Sequence, residues 1–445
     1  MILLGKKDNS RSLSPKTGDR GFHRAWLILG CTVLIQGGII GLLVNSAGVL
    51  FAAIRTDLGF RAGDLSVYYT IRQVVMAATV GITSQLFFRK NPRVVMGVLG
   101  FPGGSSFVMM AGFHHLWQWY GAAVLAGLGI SCCTTVVPMV LNNWFASKRG
   151  LVVGISMSAS GLVGACFSPV CSWLIESLGW RLASAITGTL AFAMAFLGCL
   201  ILVAEPEKAG LRPYGRETEP TLDRREKAGS AGARGNVPEW AYWVAVMALF
   251  IPNTYTQFNN QLPVFAQTVG YSLGTGAVLT SISMVGNITG KLGLGVLADK
   301  MGIYRAAGLL ILVLGLSQAA FLFGADSLLL MKAGAFFYGT VYAMGTTAPS
   351  QVFLAMYGKE HYGAKVRNGQ TVNSFLLAFA GVLFPYVYDF TGSFRPVFYL
   401  GAGICILSLG LLYVVSGAAG RELQSRQISV NIENSAAGKR RREEG

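Results

Sequence analysis

Apolar runs long enough to cross a membrane recur along the chain, each closed by a short polar or charged stretch. An α-helix needs about twenty residues to span roughly 30 Å of hydrocarbon. Runs of that length fall at twelve places: 25–50, 65–87, 94–113, 118–141, 150–175, 182–204, 240–266, 275–298, 305–324, 328–356, 370–390 and 396–417. Gly and Pro interrupt the seventh and the eleventh. Between the sixth and seventh lies "EPEKAGLRPYGRETEPTLDRREKAGSAGARGN", whose charge and Gly/Pro content read as a linker. The pattern predicts an all-α integral membrane protein of twelve transmembrane helices in two pseudo-symmetric six-helix halves. The expected organisation is a tail over 1–24, a bundle over 25–204, a linker over 205–238, a second bundle over 239–417 and a tail over 418–445. Small residues one turn apart, at Gly37/Gly41, Gly150/Gly154 and Gly286/Gly290, predict helix-packing faces.

Composition sharpens the class. The chain is 53% hydrophobic and only 13% charged, against about 25% charged in a soluble domain. A formal charge of +16 is compatible with a nucleic-acid partner, but the distribution of the basic residues gives another reason for it. Of 36 Lys and Arg, 29 fall on one side of the predicted spans, five on the other (Arg55, Arg61, Arg181, Lys332, Arg395), and two, Arg72 and Lys291, within spans. By the positive-inside rule both termini are expected in the cytoplasm, with the chain in the cell (cytoplasmic) membrane. The excess charge belongs to the bilayer, and no nucleic-acid partner is expected. The first 24 residues are basic and polar with no short apolar region, so no cleaved signal peptide is expected.

Catalytic chemistry is not visible. The seven cysteines all fall in spans without metal or disulfide spacing, and read as small packing residues. The four histidines, at 23, 114, 115 and 361, sit in predicted tails and loops. "GNITGKLG" has its first glycine one residue too close to Gly290-Lys291 for a phosphate loop, and lacks Ser or Thr after the lysine. "GLGVLA" matches a dinucleotide fingerprint only as letters, with no strand before it. No enzyme activity, metal or cofactor is expected.

The halves echo one another. "GITSQLFFRK" begins at Gly81 after the second span and "GVLADKMGIYR" at Gly295 after the eighth. The second stretch resembles the loop signature of the major facilitator superfamily, G-x-L-A-D-[RK]-x-G, at Gly295, Leu297, Ala298, Asp299, Lys300 and Gly302, with Arg305 following. The first copy, at Gly81, Arg89 and Lys90, is degraded: Gln85 and Phe88 stand where Asp and Gly are usual. "NNWFASKRGLVVGISMSASGLVGACFSP", "LGWR" and "PSQVFLAMYGKEHYG" resemble the oxalate/formate antiporter family and related monocarboxylate transporters. The resemblance implies a secondary transporter with its substrate site near midplane between the halves. It also implies a conformational latch at the signature, where Asp299 at a helix end accepts hydrogen bonds and pairs with cations until the contact breaks.

The two intramembrane cations are the candidate substrate contacts. Ser283, Asn287 and Lys291 stand at i, i+4 and i+8, one polar stripe on the eighth span. Lys291 sits where the resemblance places an arginine that contacts the anionic substrate; lysine keeps the charge and loses the bidentate fork. Arg72 has Tyr68 and Tyr69 one turn earlier, whose rings and hydroxyls suit a guanidinium. The alternatives are that Lys291 snorkels toward the cytoplasm and that Arg72 reaches the outer surface. Tyr255 and Asn259, with Asn253, Gln257 and Asn260, could line the same cavity or merely satisfy a Pro-broken helix. A lysine that the resemblance implies in the eleventh span is absent, which puts oxalate itself in doubt.

No Asp or Glu lies well inside a span; Glu176, Glu239, Asp326 and Asp389 are near ends. Cations without intramembrane anions require an anion from elsewhere. The expected function is secondary transport of small organic anions, mono- or dicarboxylates, by alternating access, with exchange as a possible mode and a monomer as the working unit. The competing expectations are a carrier of neutral or amphipathic solutes, with Arg72 and Lys291 structural, and a proton-coupled monocarboxylate symporter.

Overall fold

The computed structural model describes residues 24–89, 92–146, 149–215, 238–324 and 326–418. Twelve helices cross the bundle in antiparallel succession. They are α1 (Arg24–Leu58), α2 (Ala62–Arg89), α3 (Arg93–Met110), α4 (Leu116–Trp144), α5 (149–178), α6 (180–201), α7 (239–268), α8 (Leu273–Met301), α9 (Ile303–Phe323), α10 (328–357), α11 (Lys365–Thr391) and α12 (Arg395–Ala418). Nine described stretches are long and apolar enough to cross a membrane. One of them is α5 and α6 together, joined at Gly179, whose φ of 79° and ψ of 159° break the helical path. The other two helices, α7 and α8, carry enough polar residues to lower their mean hydropathy. The twelve-helix expectation therefore stands.

Several boundaries differ from the expected ones. The first span runs eight residues further, to Leu58, because "LFAAIRTDL" stays helical until Gly59 closes it at φ 67° with its N–H on the Arg55 carbonyl. The seventh is broken as its prolines predict: residues Thr254–Gln261 form a 3-10 stretch between Pro252 and Pro263. The eleventh is not broken; helix continues through Pro385 to Thr391. The break is in α10 instead, where helix lapses at Thr340–Val341 and again at Thr346. The chain then reverses between α10 and α11, since Gln370 Nε2 donates to the Gly345 carbonyl at 2.7 Å.

Tight approach of small residues sets the helix packing. A side-chain carbon at Gly286 would collide with the Phe336 carbonyl, and one at Gly339 with the Ser283 carbonyl, so α8 and α10 touch backbone to backbone. Gly37 and Gly41 meet Val163 of α5. Gly154 is a correction: nothing lies within 4 Å of the position where its side chain would begin. The beginning of the predicted linker is also ordered against the first half. Ala146 donates to the Tyr214 carbonyl and Tyr214 to the Trp144 carbonyl, each at 2.9 Å. Of the predicted tails and linker, residues 1–23, 216–237 and 419–445 lie outside the described residues.

The halves meet along α2 with α11, α5 with α8, and α1 with α7. Among the described residues, every side-chain hydrogen bond that crosses between halves joins groups in the middle of their helices or toward the end that holds Gly59 and Gly392. These are Asp389 with Ala62 and Gly63, Tyr386 with Asp64, Gln261 with Ser66, Thr70 with Ala378, Asn259 with Asn45, and Ser281 with Ala165. That far end is closed.

Candidate functional site

Arg72 lies ten residues into α2, roughly 15 Å from its start at 1.5 Å per residue, and is 3% exposed. It does not reach the far surface. Its guanidinium carbon stands 5.1 Å from the Tyr69 ring centre and 5.9 Å from that of Tyr68. Nε and Nη1 are buried with no hydrogen-bond partner, and so are both tyrosine hydroxyls. The rings are held edge-on to one another at 5.5 Å and both pack on Phe51 of α1. Sequence spacing therefore brings the expected Arg72–Tyr68–Tyr69 group together.

The stripe on α8 divides. Ser283 is engaged, donating to Asn259 Oδ1 at 2.7 Å, while Asn259 Nδ2 donates to the Asn45 carbonyl across the halves at 3.3 Å. Asn259 thus ties α7 to both α8 and α1. Asn287 is buried, with Oδ1 unpartnered. Lys291, one turn further along, is half-buried and has no hydrogen bond or ion pair with a described residue. It lies eighteen residues into α8, roughly 27 Å from the far end of the helix.

Tyr255 does not join this group. Its hydroxyl donates to the Val397 carbonyl at 2.7 Å, its carbonyl accepts the Tyr338 hydroxyl, and its ring packs on Phe384 in the core of the second half. The 3-10 geometry of 254–261 turns it inward. Its neighbours are likewise tied: Asn253 to Asn373 and Asn260 to Gln257.

At the opposite end, Gly295 and Gly81 have no atoms of other elements close by, and Gly302 turns the chain at φ 85° into α9. Asp299, Lys300 and Arg305 are exposed, and Asp299 makes no hydrogen bond or ion pair with a described residue. Lys90 and the Arg89 side chain lie outside the described residues.

The group that sequence reasoning missed is at the far end. Asp389 Oδ2 accepts from Gly63 N at 2.6 Å and Oδ1 from Ala62 N at 3.3 Å, capping the first turn of α2 from the opposite half. Tyr386 donates to Asp64 Oδ1 at 2.8 Å. The signal was a carboxylate near the end of α11, visible but without a visible partner.

The sequence profile of the Major Facilitator Superfamily matches residues 33–366. The Oxalate:formate antiporter of Oxalobacter formigenes is 23% identical over 79% of this chain and 83% of its own length. Monocarboxylate transporter 13 of Rattus norvegicus is 23% identical over 87% of this chain and 88% of its own. Among solved structures, the nucleoside transporter NupG superposes with a TM-score of 0.64 at 15% identity, covering 89% of this chain and 99% of that one. A bacterial homolog to the human lysosomal transporter Spinster, inward-facing and occupied, superposes at 0.61 and 14%, covering 92% and 98%. The superposed architecture, the twelve helices and the profile match place one conclusion beyond the fold alone: the chain is a transporter that belongs to the Major Facilitator Superfamily.

Proposed function

We propose that the protein carries small organic anions, mono- or dicarboxylates, by alternating access between its two halves, as an exchanger. One observation carries the reading: two cations at membrane depth, Arg72 on the first half and Lys291 on the second, have no carboxylate partner among the described residues. An isolated charge there costs about 2.5 to 3.5 kcal/mol on insertion scales, and a buried charge left without its partner is strongly destabilising. A substrate carboxylate supplies the missing partner. Asn287 and the Tyr68 and Tyr69 hydroxyls supply further polar groups, while Asn259 positions the α7–α8 contact. The printed functions of two relatives, an oxalate:formate antiporter and a monocarboxylate transporter, support this substrate class.

Every Asp or Glu on the described helices lies near a helix end. No buried carboxylate is therefore on hand to carry a proton with the substrate, which favours exchange over symport. In this reading the closed far end faces outward and the signature end faces the cytoplasm, as the Lys/Arg bias requires. Gly295, Asp299, Lys300, Gly302 and Arg305, with Gly81, Arg89 and Lys90, form the latch that closes in the opposite state. The protein works as a monomer in the bilayer.

Uptake of a panel of labelled carboxylates into proteoliposomes tests the assignment. Lys291→Gln abolishes transport and Lys291→Arg retains a measurable fraction. Near-normal uptake by the glutamine variant ends the claim that Lys291 binds substrate.

A further inference from the structure

The side-chain hydrogen bonds between the halves differ in depth. Nearest the far end are those of Asp389, Tyr386 and Gln261. The deepest among the described residues are three. Asn259 Nδ2 donates to the Asn45 carbonyl at 3.3 Å, Thr70 Oγ1 to the Ala378 carbonyl at 2.6 Å, and Ser281 Oγ to the Ala165 carbonyl at 2.6 Å. Asn45, Ala165 and Ala378 each stand thirteen residues before the far ends of α1, α5 and α11, at 58, 178 and 391. Thr70 and Ser281 each stand eight residues after the far ends of α2 and α8, at 62 and 273. The three bonds therefore share one level in the bundle.

The internal repeat says where on that level they lie. The two copies of the loop signature begin 214 positions apart, at Gly81 and Gly295, and Asn45 and Asn259 are separated by the same 214. Halves of this kind are related by an axis along the membrane normal. A residue bonded to its own counterpart lies beside that axis. The other two bonds are exchanged by it, since with the same offset Ala165 falls on 379, next to Ala378, and Thr70 on 284, one turn from Ser281. One joins α2 to α11 and the other α8 to α5, on opposite flanks of the axis. One central and two flanking bonds at one level mark a line across the bundle, in the plane of the membrane.

We propose that these three bonds are the fulcrum on which the halves rock, made in both states while the contacts at the two ends are exchanged. Their chemistry suits a joint that turns. A hydroxyl rotates about its C–O bond and a carbonyl accepts over a broad range of directions, so Thr70 and Ser281 stay bonded through a tilt. Asp389 instead grips two adjacent amides at 2.6 and 3.3 Å, an arrangement that a tilt parts. Helix geometry is irregular at the axis as well, where Asn45 ends the π-helical stretch Gly37–Asn45 and Asn259 lies in the 3-10 stretch Thr254–Gln261. Arg72, two residues beyond Thr70, moves least against the second half, and Lys291, ten beyond Ser281, moves more. The fulcrum rests on the alternating-access part of the reading above and not on the substrate.

The test is a set of distances between spin labels in the full chain reconstituted in bilayers. Labels at residues 60 and 271 report the far end. Labels replacing the exposed Val74 and Phe379 report the α2–α11 flank, and labels replacing the exposed Leu162 and Val285 the α5–α8 flank. Asp389→Asn with Tyr386→Phe removes the outermost crossing bonds and opens the far end; Asp389→Asn alone serves where the double variant does not fold. The 60–271 distance lengthens while both flank distances stay as they were. Thr70→Val and Ser281→Ala remove bonds common to both states, so each leaves the ratio of open to closed far ends unchanged, whereas Asp389→Asn shifts it about tenfold. Flank distances that lengthen together with 60–271 overturn the fulcrum and leave alternating access standing. A shift by Thr70→Val as large as that of Asp389→Asn does the same. A 60–271 distance fixed in both opening variants overturns alternating access and the fulcrum with it.

Discussion

The two ends of the bundle are built from similar parts, with different contacts among the described residues. At the end that holds Gly59 and Gly392, an acid near the end of α11 caps the first turn of α2 across the halves, and Tyr386 reaches Asp64 beside it. At the other end, the acid of the signature, Asp299, stands exposed near the end of α8 with no partner among the described residues. A carboxylate against unsatisfied helix N–H groups is a favourable contact that a small rotation of one half removes. Asp389 makes such a contact, and Asp299 makes none with a described residue. On the proposed alternating-access reading, one acid latch exchanges for the other, with Arg72 and Lys291 between them.

The largest effect expected from breaking this asymmetry comes from a wedge. A side-chain carbon at Gly48 would stand 2.6 Å from the Asn260 carbonyl oxygen, where α1 crosses α7. Gly48→Leu prevents the far end from closing, and overpacking of this kind costs about 1 to 3 kcal/mol. Distances between spin labels at residues 60 and 271 shift to the open population, and transport falls by one to two orders of magnitude. A closed, active Gly48→Leu variant breaks the account of the far end.

Next in size is Asp389→Asn, which keeps the shape and removes the charge from the cap. Loss of charge-assisted bonds worth about 1.5 to 3 kcal/mol moves the same label distances toward open by roughly tenfold in the population ratio. No shift there makes Asp389 a bystander. Smaller still is Asp299→Asn. Asp299 makes no hydrogen bond or ion pair with a described residue, so the variant is expected to insert and fold normally, to favour the state shown here more strongly, and to turn over several-fold more slowly, as one exposed contact warrants. Unchanged turnover in vesicles removes Asp299 from the latch.

Much of this was legible in the sequence because membrane spans announce themselves locally. The twelve apolar runs, the Pro-flanked break in α7 and the Ser283–Asn287–Lys291 stripe follow from periodicity and from single residues. What escaped depends on partners far away in the chain. The break in α10 arises where Gly339 and Gly345 let α8 and α7 come close, while Pro385 in α11 left its helix unbroken. Tyr255 reads as a cavity residue until the 3-10 turn aims its hydroxyl at Val397. Arg55 counted as one more loop cation, because nothing local says that Nη1 is buried. Asp389 and Gly63 are separated by 326 positions, and no pattern within either segment pairs them.

The central claim is that Arg72 and Lys291, one on each half and without a carboxylate partner among the described residues, need a bound anion before both can be enclosed. The direct measurement is entry of a labelled carboxylate into proteoliposomes with and without unlabelled carboxylate inside. An empty carrier must bring two uncompensated charges into a dry cavity to return, which a bound anion avoids. Loaded vesicles exchange label at least about tenfold faster than empty ones accumulate it, a barrier difference near 1.4 kcal/mol, and Lys291→Gln abolishes the exchange. Net accumulation in empty vesicles under a pH gradient, as fast as exchange, contradicts the account and makes the protein a proton symporter.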